Sequence, residues 1–453
     1  MNHRKFSIVL LSVFVLLLLG ALPVAAQEPT RVVWFVGLGA GGQPQQIDAQ
    51  NQVVADFNAS QSDIVLEIQI VDNNVAADTL ATLIASDQAP DIVGPVGFDG
   101  SNAFAGNYAD LTPYIEASGY DLGQFDPAAV ANYYVEGEGQ IGLPFATFPS
   151  FVYYRPALFD EAGLAYPPTE YGQPYVAADG TEMPWDTAAV RELGMQLSVD
   201  ANGADASMEE FDPEQQVQWG FVDQWNEPRG ESSIFGGNGV VNADGDAELS
   251  SAWYDGFNWF YNGIWTDHFI PNAAQDGSDT LAAGNAFSSG NVAMARSHLW
   301  YTCCLGEAGE WEIAPMFSYN GVVTAKLHGD TFRMMKQSKN PEAAFTVLSY
   351  LLGDAAPSLL QVYGGMPARA SDTEAFFATL AERYPFVENW HIVAESIAFA
   401  ENPNHESYMP NYLKAKDRIG AFQTLYRGTP DLDIVAELDL LQADLQAIFD
   451  EVE

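Results

Sequence analysis

From Arg31 to Val93 the chain alternates strand and helix signals at a spacing that leaves few folds open. Arg31 to Val36 reads as a buried strand, and the loop Gly37-Leu-Gly-Ala-Gly-Gly42 follows it. Between Gln45 and Asn58 the apolar residues Ile47, Val53, Val54 and Phe57 recur at helical spacing. Ile64 to Val71 alternates as a second strand, Asp78 to Ala85 reads as a short helix, and Asp91-Ile-Val as a third strand. Strands alternating with helices imply a largely parallel α/β sheet. The rhythm returns where Glu209 to Gln218 leads into Trp219-Gly-Phe-Val222, with an aromatic helix at Ser251 to Tyr261 and a strand at Val292 to Ala295. Pro341 to Leu352 reads as a helix with proline at its start, and Leu432 to Val452 as an acidic closing helix. Tyr171 to Trp185 has the Gly, Pro and Asp content of a surface loop or hairpin, and Asn202 to Asp212 reads as another loop. No internal repeat is visible, and 453 residues are enough for two cores.

The N-terminus reads as a secretory signal peptide over residues 1–26. Arg4 and Lys5 precede an apolar run from Ser7 to Leu22, and Val24-Ala25-Ala26 supplies the small residues of a cleavage site. The run is short for a bilayer span, and no later stretch is long and apolar enough for one. No cysteine follows it, so the usual bacterial lipoprotein attachment site is not expected. The expectation is an exported protein of the periplasm or the outer face of the cell membrane. Acidic residues number 61 against 17 basic, a net charge of -44. Nucleic acid is therefore not an expected partner, because phosphate recognition needs clustered Lys and Arg. So much like charge repels itself in the compact state, which suits a salty or acidic habitat. The two cysteines, Cys303 and Cys304, are adjacent. They form either a vicinal disulfide, which an oxidising compartment permits, or two free thiols.

Gly37, Gly39 and Gly42 match G-x-G-x-x-G after a strand, formally a dinucleotide fingerprint. Export and the lack of an acidic residue clearly ending the second strand argue against it. The favoured reading is a glycine loop that lets a ligand approach backbone N–H groups. His3, His268, His298, His328, His391 and His405 form no paired-ligand spacing, so no metal site and no cofactor are expected. No G-x-S-x-G elbow occurs. A glycosidase carboxylate pair cannot be chosen among so many acids.

Several segments in order carry a family resemblance. They run Ala85-Ser-Asp-Gln-Ala-Pro-Asp-Ile-Val93, Tyr108-Ala-Asp-Leu-Thr-Pro-Tyr114, Gln140-Ile-Gly-Leu-Pro-Phe145, Val152-Tyr-Tyr-Arg-Pro-Ala-Leu-Phe-Asp-Glu-Ala-Gly-Leu164 and Pro167-Pro-Thr169. Ala286-Phe-Ser-Ser-Gly-Asn-Val-Ala-Met294, Trp311-Glu-Ile-Ala-Pro315, Ser338-Lys-Asn-Pro-Glu-Ala-Ala344 and Gly364-Gly-Met-Pro-Ala-Arg369 continue the series. Together they resemble the extracellular solute-binding proteins of the carbohydrate-uptake family that includes the maltodextrin-binding proteins.

The resemblance implies a two-lobed α/β periplasmic-binding-protein fold (type II), each lobe a sheet flanked by helices, with a hinge between them. Lobe 1 would hold residues 27–146 and 327–371, and lobe 2 residues 147–326 and 372–453. It further implies a non-catalytic, monomeric receptor that delivers a sugar or oligosaccharide to the permease subunits of an ABC importer. A receptor for a polyol or glycerophosphodiester and a secreted glycoside hydrolase are the alternatives. Sugars present flat C–H faces and hydroxyl rims, which call for aromatic rings beside carboxylates, amides and Arg. On the family's contact loops the implied ligand residues are Gly41, Gln43, Phe98, Asp99, Thr147 and Phe148, then Trp225, Asn226, Glu227 and Arg229. His298, Trp300, Tyr301, Met366, Trp390, Tyr408 and Asn411 complete the set, with Cys303–Cys304 offering a flat apolar surface if bonded.

Overall fold

The computed structural model describes residues 28–451, apart from 238, 306–308 and 403. The expected signal peptide lies outside the described residues. β1 (Thr30–Val36), α1 (Pro44–Ser60), β2 (Ile64–Ile70), α2 (Asn73–Ala85) and β3 (Ile92–Val96) come in the order the sequence predicts. β1 pairs in parallel with β2 over its whole length, from Thr30↔Ile64 to Val36↔Ile70, and with β3 on its other side. Burial explains the run: Val32, Trp34, Phe35 and Val36 are all enclosed, between α1 on one face and α2 on the other.

β4 (Leu143–Tyr154) is a 12-residue strand that the sequence reading did not foresee as one element. Its first part, Leu143 to Pro149, pairs with β7 (Leu327–Met334), which pairs in turn with β3. Its second part, Ser150 to Tyr154, pairs with β6 (Val292–His298), which runs parallel to β5 (Gln216–Asp223). Among the described residues one ten-stranded mixed sheet results, in which β4 is the strand common to two halves. Pro149 sits where β4 changes partners, and Pro144 sits at the strand's start beside a register shift against β7, two places where a missing N–H is tolerated.

Each half has its own core. In the first, Val53 and Phe57 of α1 meet Ala344, Leu348 and Leu351 of α4 (Pro341–Leu352) and Leu359 of α5 (Ala356–Tyr363). In the second, α3 (Ser251–Trp265) sets Trp253, Phe257 and Phe260 against Phe422 and Tyr426 of α6 (Tyr412–Gly428). Leu438, Leu441 and Leu445 of α7 (Ile434–Phe449) close that core. The predicted hairpin is present as Tyr175–Val176 paired with Glu182–Met183. No single helix among the described residues is long and apolar enough to cross a membrane.

Candidate functional site

A cleft of about 660 Å³ opens between the two halves of the sheet. Its first wall is the loop after β1. Gly41 adopts φ 93°, and a Cβ there would sit 2.1 Å from Val36 Cγ1, so only glycine fits. Three of the loop's N–H groups are engaged within the protein. Gly39 N donates to Asn73 Oδ1 at 2.7 Å, and Gly41 N and Gln43 N both donate to Gln46 Oε1 at 3.1 Å. Neighbouring amides thus hold the turn that was expected to let a ligand approach the backbone. Gly41 and Gln43 still line the cleft, together with Gln46 and Asn73.

The opposite wall is aromatic. Trp225, Trp300 and the disulfide-bonded pair Cys303–Cys304 border the cleft. The two indoles lie parallel, 7° between planes and 6.0 Å between centroids. Trp225 is 47% exposed at φ 54°, a conformation uncommon for a bulky residue. Its indole N–H donates to Gly284 O at 2.7 Å, and the buried Tyr301 meets its ring edge-on at 5.3 Å. Such strain persists only where surroundings over-determine it, commonly at ligand clamps. Behind Trp300 the fully buried His298 stacks at 5.5 Å.

The floor is polar and ionisable. Asp99, on the short helix Phe98–Asn102, accepts from Tyr412 Oη at 2.7 Å, from Arg229 Nη2 at 3.2 Å and from Lys416 Nζ. Burial pushes its carboxyl up, but Lys416 and Arg229 outweigh burial and hold it below the usual range. His328 and Asp330, two apart on β7, share one face and both reach the cleft. Burial raises Asp330 to about 7, and burial with the Asp99 charge raises Glu406 to about 8 against the pull of Arg229.

Of the residues named from sequence, Gly41, Gln43, Asp99, Phe148, Trp225, Trp300, Cys303 and Cys304 line this one cleft. Others stand behind it. Phe98 stacks on Tyr133 at 5.2 Å, Thr147 pairs with Gly329 and Met366, and Met366 is buried. The polar side chains after Trp225 are engaged within the protein: Asn226 Nδ2 donates to Asp223, and Glu227 Oε1 accepts from Arg229 Nε at 2.6 Å. Three residues fall elsewhere. Trp390 packs in the core against Trp311 and Tyr384, Tyr408 is 53% exposed on the ring of Tyr412, and Asn411 reaches Glu451. The sequence reading missed His328, Asp330, Tyr363, Glu406, Tyr412 and Lys416 on the cleft surface. The period-two spacing of His328 and Asp330 was a usable signal; the convergence of β7, Glu406 and α6 was not.

Solved structures share this fold. The substrate-binding protein of Listeria monocytogenes in complex with cycloalternan superposes with a TM-score of 0.72 at 18% identity, covering 94% of this chain and 100% of that one. The cyclic alpha-maltosyl-1,6-maltose binding protein of Arthrobacter globiformis gives 0.68 at 17%, covering 93% and 100%. The maltose/maltodextrin-binding domain of Bdellovibrio bacteriovorus bound to maltotriose gives 0.66 at 17%, covering 93% and 99%. No curated protein matches the chain in sequence. The bacterial extracellular solute-binding protein family matches residues 43–356. With that match over more than half its length, and with a two-lobed binding-protein fold closed around a lined cleft, this chain belongs to the bacterial extracellular solute-binding proteins.

Proposed function

We propose that the chain is the extracytoplasmic receptor of an ABC importer, capturing a sugar or oligosaccharide between lobes 27–146 plus 327–371 and 147–326 plus 372–453. It works as a monomer without turning its ligand over, and residues 1–26 direct its export. One observation carries this reading: the parallel indoles of Trp225 and Trp300 share one cleft with the carboxylates of its floor and the amides of its other wall. Rings suit the C–H faces of a pyranose, and the floor suits its hydroxyls. The names of the neighbouring structures, which bind cycloalternan, a cyclic maltosyl-maltose and maltotriose, support the same class. Cys303–Cys304 extends the flat wall beside Trp300, a role that needs the bonded form. Mass spectrometry of the unreduced protein checks it, and two alkylatable thiols would remove it.

A glycerophosphodiester is the weaker reading. Arg296 is fully buried against Asp223, and Arg229 is held by Glu227 and Asp99, so both arginines are already neutralised. Hydrolysis remains the other alternative, with Asp330 and Glu406 the cleft carboxylates it would use. A thermal-shift screen over sugars, polyols and glycerophosphodiesters, followed by product analysis, separates the three. Ligand at about 100 times its dissociation constant adds about 2.7 kcal/mol of stability. Stabilisation by a sugar that is recovered intact is the expected result. A shift confined to phosphodiesters, or cleaved sugar, overturns it.

A further inference from the structure

We propose that the floor of the cleft holds a divalent transition-metal ion, zinc being the best match, through His328, His405 and Glu406. The sequence reading expected no metal, because His328 lies far in the chain from the adjacent His405 and Glu406 and the three match no ligand motif. Folding brings them together. His328 Nε2 and His405 Nε2 lie 3.2 Å apart, and His328 Nε2 lies 3.6 Å from Glu406 Oε1. One donor atom from each falls within 4.8 Å of the other two. Ligand atoms bound tetrahedrally at about 2.0–2.1 Å from zinc stand about 3.3 Å apart, so the imidazole pair already has the edge length of such a site.

The surroundings prepare these donors. His405 Nδ1 pairs with Glu401 Oε1 at 2.5 Å. With that nitrogen donating to the carboxylate, Nε2 carries the lone pair and faces His328. Glu401 is itself fixed, accepting from Leu327 N at 2.9 Å and Asn404 Nδ2 at 3.2 Å. A carboxylate behind an imidazole is the usual orienting partner of a metal-binding histidine. The ring of His298 lies 3.8 Å from that of His328 and limits its rotation.

The second, independent observation is Glu406. The residue is 8% exposed, and its Oε2 is buried with no hydrogen-bond partner among the described residues. A hydrogen bond between the two rings leaves that oxygen unsatisfied, which is costly in a low-dielectric site. A cation between the two Nε2 atoms and Glu406 Oε1 takes up the facing lone pairs, and its charge offsets the under-bonded carboxylate. Two imidazoles and a carboxylate suit zinc or another late first-row ion, whereas calcium and magnesium prefer oxygen alone. His328 and Glu406 both line the cleft, so a remaining coordination position faces the space a ligand hydroxyl would occupy.

The test uses untagged mature protein stripped with chelator and titrated with zinc chloride by calorimetry, with bound metal counted by mass spectrometry. One zinc per chain is expected, and cobalt should give the visible bands of a low-symmetry site. His328→Gln and Glu406→Gln should each weaken zinc binding at least about tenfold, and Glu401→Gln by about ten- to a hundred-fold, the usual effect of an outer-shell partner. His391→Asn, an exposed ring on Thr169 O, should leave it unchanged. Trace zinc at large excess, or wild-type affinity in folded Glu406→Gln, overturns the site. Circular dichroism of each stripped variant checks that it folds; where His328→Gln fails, the cleft-facing Glu406→Gln decides. Sugar-induced thermal shifts measured in chelator test the receptor reading separately from this one.

Discussion

Glu231 is 3% exposed, accepting from Tyr426 Oη at 2.8 Å and from Gln423 Nε2 at 2.9 Å. Burial, aided by the nearby Asp223 charge, raises its carboxyl from an ordinary 4.5 to about 7, against Arg427 and the two hydrogen bonds. The folded protein therefore keeps a proton that the unfolded chain releases between those two values. The stability this group contributes is full below pH 4.5 and is lost as pH rises through about 7. Glu231→Gln mimics the protonated acid, so the variant should gain on wild type across that window, by at most about 3 kcal/mol. Chemical denaturation at several pH values checks it; a pH-independent difference would refute the assignment. Tryptophans make a second residue-scale contrast. Trp300→Ala should weaken sugar binding about tenfold or more, since a stacked ring contributes about 0.5–1.5 kcal/mol beyond its buried area. Trp390→Phe, deep in the core beside Trp311, should lower the melting temperature and leave sugar affinity alone. Calorimetric titration distinguishes the two, and equal affinity losses would contradict the placement of Trp390 in the core away from the cleft.

Local pattern made some elements readable and hid others. Pro341–Leu352 runs between the residues expected of it, because proline opens the helix and the apolar positions repeat on one face. Tyr412–Gly428 was overlooked although Tyr412, Ala415, Ile419, Phe422 and Tyr426 form a buried stripe at three- and four-residue steps. Lysines and arginines between them masked it. Leu143–Tyr154 was harder, since two prolines stand within it and its two halves answer to different partners. The site divides in the same way. Trp225, on a loop, and Asp99 and Trp300, on short helices, lie in segments that the family resemblance located, while His405 and Glu406 reach His328 only through tertiary folding. One contact between elements is tight enough to predict from. A Cβ on Gly220 in β5 would fall 2.0 Å from Gly194 O, in the helix Thr187–Gln196 above it. Backbone cannot rotate away as a side chain can. Gly220→Ala should therefore force helix from strand and cost about 1–3 kcal/mol, the range for overpacked cores. A drop of several degrees in melting temperature is expected, and an unchanged melt would mean that the helix yields freely.

At the scale of the whole molecule, charge and closure act together. A net charge of -44 repels itself, and salt shortens the reach of that repulsion from about 10 Å at 0.1 M to about 3 Å at 1 M. The melting temperature near neutral pH should rise with added sodium chloride; a flat or falling series would show that the charge is not a net destabiliser. Against this background the Asp99 cluster bridges the two halves. Asp99 belongs to the half built on β1 and β3, whereas Arg229, Tyr412 and Lys416 belong to the other half. Asn102 Nδ2 adds a bond across the same gap, to Glu406 O at 2.7 Å. A charge-assisted hydrogen bond contributes about 1.5–3 kcal/mol, and about 2 kcal/mol moves a two-state open–closed ratio roughly thirty-fold. Asp99→Asn removes the charge that three donors share, while Arg229 keeps Glu227 as its partner, so each half should stay folded. The ligand-free variant should then show a larger radius of gyration by small-angle scattering, and its sugar affinity should fall because closure must be supplied by the ligand alone. Lys416→Met removes one of the same contacts from the opposite side and should act in the same direction, more weakly. Unchanged scattering in both variants would mean that the halves are held together by β4 and the cleft walls rather than by this carboxylate.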